Sequence, residues 1–472
     1  MFDVVEKNIL EIQEALNKGE ITSRDLVLIY MERIANIDNG ETKYNSVLEV
    51  NPDALNIASV LDKERTNGKI RGLMHGIPVL LKDNINTNDK MHTTAGSLAL
   101  KNNYANYDAT ITKTLRENGA IILGKANLTE FANFMSYNMR NGYSSLGNEV
   151  LCPFNLDEDP SGSSAGSAVS VTLNLAPVSI GTETGGSIMS PAAKNGVVGI
   201  KPTLGFVSRT GIVPISSTLD TAGPLAKNVT DAAILLSAIR SNDSNDPITE
   251  EKDDKFVDYT QFLDKEGLNA ARIGIDKAHY EKLSKARKKV FNDNVKTMKK
   301  AGATIIDNLN IKQTDFIFYV MKYEFKRNIN NYLSSLGTNT KIKTLREIIE
   351  FNRDNDTVCL KYGQLLLEEC EYNTSGRMNE EEYLKGIKER EDTIKKIDKI
   401  FLDNKLDMIY FANYTSLGPH CGYPTMTIPS GKETNNIPIG TYFLAPKYKE
   451  ENLIKIGYAL EQIIKKRVNP LK

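Results

Sequence analysis

The pattern that most constrains this chain is a helix followed directly by a buried strand. In residues 109–128, ATITKTLRENGAIILGKANL, the sequence predicts a helix to Asn118, a stop at Gly119 and a strand over residues 120–123. The earlier run GLMHGIPVLLKDNI, residues 72–85, predicts another buried strand that leads into a polar turn. Helices that alternate with such strands are typical of an α/β fold with a mixed or largely parallel sheet.

Other parts of the chain have different patterns. At the N-terminus apolar residues recur at helical spacing until Gly19, and a second helix is predicted after an N-cap at Thr22 or Ser23. Residues 276–400 are rich in Lys, Glu, Ile and Leu, which predicts amphipathic helices with solvated charged faces. The C-terminal part returns to strands and turns before a closing helix.

Composition narrows the class of protein. The 472 residues carry 59 basic and 60 acidic side chains, and the resulting net charge of −1 argues against a nucleic-acid-binding surface. The N-terminus has no apolar core of a signal peptide, and no apolar run approaches the roughly 18 residues of a membrane span. We therefore expect a cytoplasmic protein. Its cysteines form no CxxC pair and are predicted to be free, buried thiols: Cys152, Cys359, Cys370 and Cys421.

Ten of the 32 glycines lie within residues 160–226. This concentration indicates the part of the chain where special backbone conformations are most needed. In this stretch GTETGGSIMSPA, residues 181–192, places Ser187 directly after two glycines. Glycine allows a backbone to approach a ligand closely. The segment therefore fits either a nucleophilic serine in a backbone cradle or an ordinary glycine-rich turn.

A second serine cluster, PSGSSAGSA, matches the G-x-S-x-G motif and would make Ser164 the nucleophile of an α/β-hydrolase-type esterase. That motif requires a buried strand just before the serine, whereas PFNLDEDP precedes it here. The following residues, AGSAVSVTLNLA, predict a helix. Ser163 and Ser164 then lie at a helix start, where serine is favoured as an N-cap, and this interpretation is preferred for the motif taken alone.

A nucleophilic serine needs a base. Among the four histidines only His420, in a Gly/Pro turn, is a candidate, and no histidine pair has metal-ligand spacing, so neither metal nor cofactor is expected. Lys82 ends the apolar run IPVLL, and burial lowers the pKa of a lysine, which suits a general base. The alternatives for Lys82 are an extended side chain that reaches solvent or an ion pair with Asp83.

The segments that carry Lys82, Ser163 and Ser187 resemble the motifs of the amidase signature family. GIPVLLKDNI is similar to that family's lysine strand, GSSAGSA to its G-S-S-[GA]-G segment and GTETGGSIMSPAAKNGVVGIKPT to its nucleophile loop. Ser187 follows Ser163 by 24 residues, as the family pattern requires. The resemblance extends over residues 1–240 and 405–465 through further similar segments: TTAGS, GKANLTEF, SRTGIVPISSTLDTAGPLAK and GYPTMTIPSG.

The resemblance implies a single domain over residues 1–472 with a variable helical segment at about 276–400. In this α/β fold a large mixed β-sheet is covered by helices on both sides. The implied reaction is hydrolysis of a carboxamide, through an acyl-enzyme, to a carboxylate and ammonia or an amine.

The resemblance also implies roles for the residues. Ser187 would attack the carbonyl. Ser163, which follows a cis peptide bond in the chain, would relay the proton of Ser187 to Lys82. Lys82 would be neutral in the free enzyme and would accept that proton. Ser164 would support this network and cap its helix. The oxyanion hole would consist of the backbone N–H groups of four residues: Thr184, Gly185, Gly186 and Ser187.

One departure from the family pattern bears on the substrate. The family often has G-G-S-I-R, and Met189 replaces that arginine here. The arginine-free form is similar to the peptide-amidase-like branch. If Met189 faces the site, its apolar side chain favours a peptide-like or small neutral amide, and if it faces the core it carries no information on substrate. His420 is a second pocket candidate, and helices within 315–395 are expected to supply pocket walls.

The alternative function is the glutamine-hydrolysing subunit of a tRNA-dependent amidotransferase, which works inside a complex of partner chains. An esterase that uses Ser164 is a third hypothesis. For the preferred amidase we expect a small-molecule or peptide amide as substrate, no nucleic-acid or membrane partner, and a monomer or homodimer.

Overall fold

The computed structural model describes residues 2–251, 257–309, 311 and 316–471. Its strands in this part of the chain are β1 Val47–Val50, β2 Pro78–Lys82, β3 Ile121–Ala126, β4 Tyr143–Ser144, β5 Asn148–Glu149, β6 Val178–Glu183, β7 Val198–Lys201, β8 Thr221–Ala226, β9 Arg272–Asp276, β10 Thr304–Leu309, β11 Met408–Phe411, β12 Thr425–Thr427, β13 Pro429–Lys432, β14 Pro438–Gly440 and β15 Tyr442–Leu444.

Eleven of these strands form one mixed sheet in the order β1-β3-β2-β6-β8-β7-β12-β15-β11-β9-β10. The runs β3-β2-β6 and β11-β9-β10 are parallel. The strands between them, β6-β8-β7-β12-β15-β11, pair antiparallel, as does β1 with β3 at one edge. The large mixed sheet predicted for the fold is therefore confirmed.

Helices surround the sheet. Their bounds are α1 Ile9–Lys18, α2 Ser23–Arg33, α3 Ala54–Thr66, α4 Thr110–Glu117, α5 Glu130–Asn133, α6 Ala165–Thr172, α7 Met189–Lys194, α8 Val229–Ile239, α9 Lys285–Lys300, α10 Ile317–Ser335, α11 Leu345–Asp354, α12 Asp356–Cys359, α13 Leu365–Asn373, α14 Glu381–Asn404, α15 Leu417–Cys421 and α16 Glu450–Ile464.

The predicted helix signals at the N-terminus are present. Helix α1 ends at Gly19, whose positive φ of 70° is the left-handed conformation that glycine favours. The Thr22 side chain accepts a hydrogen bond from the Asp25 backbone N–H and Asp25 bonds back, which forms a capping box at the start of α2. The predicted end of this strand at residue 123 was wrong, because β3 continues through Lys125 to Ala126.

The segment 276–400 is mainly helical, but it also contributes β10, which pairs with β9 at the edge of the sheet. This strand is not predicted from the sequence because charged helices flank it on both sides. Helices α10, α11 and α13 form a second hydrophobic core with residues of the chain near 95–143. In the part of the chain that the structure describes, no helix combines the length and apolar character needed to cross a membrane.

Candidate active site

Lys82 is the last residue of β2, and its side chain is completely buried. Because β2 and β6 are parallel neighbours, their carboxyl ends lie at the same edge of the sheet. The Lys82 Nζ donates to Thr182 near the end of β6, with distances of 2.9 Å to Oγ1 and 3.2 Å to the carbonyl oxygen. Its third contact is Ser163 Oγ, at 2.7 Å. All three partners of this lysine are uncharged.

This environment sets the protonation of Lys82. Burial lowers its pKa to about 7, and the negative charges of Glu183 and Asp220 oppose that shift. A neutral amine has two N–H donors and one lone pair. The two donors match the two oxygens of Thr182, and the lone pair can then accept the hydroxyl proton of Ser163. The geometry suits a lysine that exchanges a proton with Ser163.

The two alternatives considered for Lys82 do not fit its surroundings. The side chain does not reach solvent, since its exposed fraction is 0%. Asp83 points elsewhere: its carboxylate lies 3.9 Å from Lys125 Nζ and accepts a hydrogen bond from the Thr94 backbone N–H at 3.2 Å. The charge of Asp83 is thus directed to Lys125 and not to Lys82.

Ser163 and Ser164 precede α6, and the peptide bond between Gly162 and Ser163 is cis. Ser164 occupies the N-cap position, but its side chain makes no capping hydrogen bond, so the predicted cap is wrong. Its hydroxyl instead donates to the Thr182 carbonyl at 3.0 Å and accepts from the Thr182 N–H at 3.2 Å. The Thr182 backbone lies next to the Ser164 hydroxyl and bonds to it in place of the free N–H groups at the start of α6. Ser164 therefore ties α6 to β6 and is fully buried.

Ser187 lies in the loop between β6 and α7 and is partly exposed. Its carbonyl accepts a hydrogen bond from the Ser164 N–H at 3.1 Å. This bond places the Ser187 loop beside the cis peptide segment. The Ser187 backbone and the Ser163–Ser164 pair therefore lie together at the carboxyl edge of β2 and β6, where Ser163 Oγ contacts the Lys82 amine.

The backbone before Ser187 presents unused donors. Among the described residues, the N–H groups of Gly185, Gly186 and Ser187 donate to no other protein atom. The next two N–H groups, of Ile188 and Met189, both donate to the Glu183 carboxylate, at 2.7 and 3.0 Å. Glu183 thus anchors the loop at its far end and leaves the preceding N–H groups available, as an anion-binding backbone segment requires.

Thr184 is held by its side chain. Its hydroxyl donates to Asp220 at 2.5 Å, and the second oxygen of Asp220 accepts from the backbone N–H groups of Ile215 and Ser216, both at 2.8 Å. Burial raises the pKa of Asp220 to about 6 even with these donors. Asp220 therefore links the start of the Ser187 loop to the segment before β8.

A cavity of about 340 Å³ opens against this edge of the sheet. Asn84, Thr182 and Thr184 form the part nearest the Lys82 amine, and Asn84 donates to Thr182 Oγ1 at 2.9 Å. Helix α10 supplies one wall, and among the described residues of the expected 315–395 region it alone lines the cavity. Its contributing residues are Asn328, Asn331, Tyr332 and Ser335.

The cavity lining includes Thr182 and Thr184 but not Lys82, Ser163 or Ser187 themselves, and Met189 and His420 are absent from it as well. Met189 is the first residue of α7 and is 2% exposed. His420 is buried in α15 against the Phe316 ring, with the ring centroids 4.8 Å apart, and burial lowers its pKa to about 4. In the described structure neither imidazole nitrogen has a hydrogen-bond partner. The substrate argument built on Met189 therefore finds no support in the geometry of this cavity.

Several groups around the site were not identified from the sequence. Thr182, Glu183, Asn84 and Asp220 all lie within the family-like segments, so the segments themselves were the available signal. What each side chain does depends on contacts between segments up to 100 residues apart, as for Thr182 with Lys82. Local pattern carries no information on such pairs.

Comparison with known proteins shows the family of this chain. The family model "Amidase" matches residues 25–417. A probable amidase of Arabidopsis thaliana is 38% identical over 98% of this chain and 90% of its own length. The chain belongs to the amidase family, whose members hydrolyse amide C–N bonds.

Among solved structures, the native peptide amidase from Stenotrophomonas maltophilia is similar with a TM-score of 0.93 and 36% identity, over 100% of this chain and 99% of that one. A subunit of the glutamyl-tRNA(Gln) amidotransferase of Halothermothrix orenii is 30% identical over 98% of this chain and 98% of its own length. The chain is thus similar both to a peptide amidase and to an amidotransferase subunit.

Proposed function

We propose that the chain hydrolyses a peptide-like or small neutral carboxamide to a carboxylate and ammonia, with Ser187 as nucleophile, Ser163 as proton relay and Lys82 as base. The observation that carries this proposal is the 2.7 Å contact of a buried Lys82 amine with Ser163 Oγ beside the Ser187 loop. A lysine pKa near 7 leaves a useful fraction of neutral amine at physiological pH.

The proposed reaction has two stages. In the first, Ser187 Oγ bonds to the amide carbon, its proton passes to Ser163, and the Ser163 proton passes to Lys82. The free N–H groups of Gly185, Gly186 and Ser187 stabilise the oxyanion, with the Thr184 N–H as the fourth predicted donor. The C–N bond then breaks, and the proton returns to the leaving nitrogen, which departs as ammonia.

In the second stage water attacks the acyl-enzyme. Its proton follows the same route through Ser163 to Lys82, and the ester bond to Ser187 breaks as the serine regains a proton. The products are the free enzyme and the carboxylic acid, which becomes the carboxylate when its proton passes to solvent. The proton transfers that accompany bond cleavage all use groups of this chain, and with the released proton counted atoms and charges balance across the two stages.

The charges around the cavity support a neutral acyl group. Arg209 binds Asp246 at 2.9 Å, and the carboxylates of Asp220 and Glu183 accept backbone or hydroxyl donors. These four are the charged residues that line the cavity in the described structure. A free glutamine carries a carboxylate that would lose water without gaining a free cation here, because Arg209 is already bound to Asp246, and this loss is unfavourable. The likeness to a peptide amidase points to the same substrate class.

The cysteines bear on where the reaction takes place. Cys152, Cys359, Cys370 and Cys421 are all free and buried. We propose a reducing, cytoplasmic location on this basis.

The direct test is ammonia release from an N-blocked peptide amide by the purified chain and by Ser187→Ala. We expect hydrolysis by the wild type and none by the variant, with an unchanged fold by circular dichroism. Ser164→Ala is the matched control, since it removes a neighbouring serine hydroxyl that does not contact Lys82 and should retain far more turnover than Ser187→Ala. Full activity of Ser187→Ala together with loss in Ser164→Ala would favour the esterase-type hypothesis.

A further inference from the structure

Tyr414 reaches the Ser187 loop from the opposite half of the sheet. It lies between β11 and α15, and its hydroxyl donates to the Gly185 carbonyl oxygen at 2.9 Å. Its ring packs edge-on against Tyr442, with the ring centroids 5.7 Å apart. The two bonded groups are 229 residues apart in the sequence, and neither the family-like motifs nor the proposed proton relay includes this tyrosine.

The hydrogen bond has a consequence for a neighbouring donor. The Gly185 carbonyl and the Gly186 N–H belong to one planar peptide unit, which is trans, because the cis bond of the described chain is the one before Ser163. In a trans peptide the C=O and N–H vectors point in opposite directions. Holding the carbonyl toward Tyr414 therefore directs the Gly186 N–H to the other side of the loop.

This peptide unit needs an external restraint. It joins two glycines, and a peptide flanked by glycines can rotate at little steric cost. Gly186 has a φ of 117°, a conformation that residues with a side chain rarely adopt. The Gly186 N–H also has no protein acceptor in the described structure that would fix it. The Tyr414 hydrogen bond is the contact that sets the orientation of this unit.

Tyr414 occupies the space that a side chain at position 186 would need. A Cβ atom at Gly186 would lie 2.4 Å from the Tyr414 hydroxyl oxygen and 2.8 Å from the ring carbon that carries it. Any larger residue would displace the tyrosine. Glycine at this position therefore makes room for the hydroxyl as well as permitting the positive φ.

We propose that Tyr414 is a positioning residue that orients the Gly185–Gly186 peptide so that the Gly186 N–H faces the oxyanion of the tetrahedral intermediate. The inference rests on the proposed function, because the oxyanion hole that Tyr414 would orient belongs to that reaction. Burial raises the pKa of the Tyr414 hydroxyl well above its usual value, so the hydroxyl remains a donor across the working pH range.

The test is Tyr414→Phe, which removes one oxygen and keeps the ring. Loss of a single oxyanion donor typically lowers kcat by about 100- to 1000-fold. In Tyr414→Phe the Gly186 N–H is still present but points away from the oxyanion part of the time, so we expect kcat to fall by about 10- to 100-fold. We expect that fall in kcat for a blocked peptide amide, with KM unchanged within about twofold. The affinity for a peptide aldehyde, which forms a tetrahedral adduct on Ser187, should fall by a similar factor.

Tyr442→Phe is the matched control, because it removes a hydroxyl from the adjacent ring and should leave kcat and aldehyde affinity near wild type. A Tyr414→Phe enzyme with wild-type kcat and aldehyde affinity would overturn the inference while the proposed function stands. A rise in KM alone would also overturn it, since Tyr414 would then contact the substrate. A wild-type chain that hydrolyses no amide would overturn the proposed function and this inference together.

Discussion

The Lys82 Nζ lies 2.7 Å from the Ser163 hydroxyl oxygen, although 81 residues separate them in the chain. The contact is buried, and the remaining bonds of the amine go to the neutral oxygens of Thr182. Among the described residues, no carboxylate lies within salt-bridge distance of Lys82 to hold its proton. The proton is therefore free to move between the amine and the serine.

Replacing Lys82 by methionine should reduce kcat by several orders of magnitude, because the variant removes the proposed base but keeps a side chain of similar length. The measurement is steady-state ammonia release at saturating peptide amide. His420→Leu is the control, since the His420 imidazole has no hydrogen-bond partner in the described structure and the residue lies outside the cavity lining. A large loss of kcat in His420→Leu with little loss in Lys82→Met would make histidine the base.

The pH dependence of kcat/KM should have an acid limb with an apparent pKa near 7, the value that burial imposes on Lys82. The sign follows from the role of the residue: a base works when neutral, so activity falls as pH drops through this pKa. The fall should approach tenfold per pH unit well below it. An activity that stays constant from pH 8 to pH 5 would contradict a lysine base.

Glu183→Gln should move this acid limb to lower pH. The negative charge of Glu183 favours the protonated form of Lys82, so a neutral amide at this position lets the lysine lose its proton more easily. The glutamine oxygen can still accept from the Ile188 and Met189 N–H groups, which preserves the loop. The comparison is a full kcat/KM profile of each enzyme.

Glu324→Gln serves as the control for this charge effect. Glu324 is also buried, but it accepts from Thr218 and Tyr383, and it does not act on the pKa of Lys82. Its variant should leave the acid limb in place. A shift of the limb to higher pH in Glu183→Gln would show that the charge argument has the wrong sign.

A blocked peptide amide should be hydrolysed with a higher kcat/KM than free glutamine by the chain alone. The reason is the cavity, where Arg209, the one cation among the described lining residues, is already paired with Asp246 and leaves no cation for the carboxylate of a free amino acid. The assay compares ammonia release from the two substrates without any added protein. Faster hydrolysis of glutamine would favour the amidotransferase function.

Activity should survive dialysis against a chelator and require no added cofactor, because the proposed steps use only Lys82, the two serines and backbone donors. Among the described residues, no group of three or more His, Cys, Asp or Glu side chains is placed to hold a metal ion. The measurement is kcat before and after EDTA treatment. Loss of activity that a divalent metal restores would contradict the mechanism.

Much of this site was predictable because its motifs are short and local. The sequence alone determined that a lysine ends the apolar strand β2, that two serines directly precede α6, and that Ser187 follows two glycines. It also determined the α/β alternation, because periodicity and stop signals depend on neighbouring residues only. These local features are sufficient to indicate the family.

Only the tertiary structure decided how these groups act. The low pKa of Lys82 comes from burial between strands, and the bonds of Ser164 to β6 replaced the predicted helix cap. Met189 and His420 were excluded from the cavity lining by the packing around α7 and α15. Tyr414 meets Gly185 from 229 residues away. Desolvation, hydrogen-bond competition and long-range packing depend on which segments the fold brings together, and no local pattern in the chain specifies that.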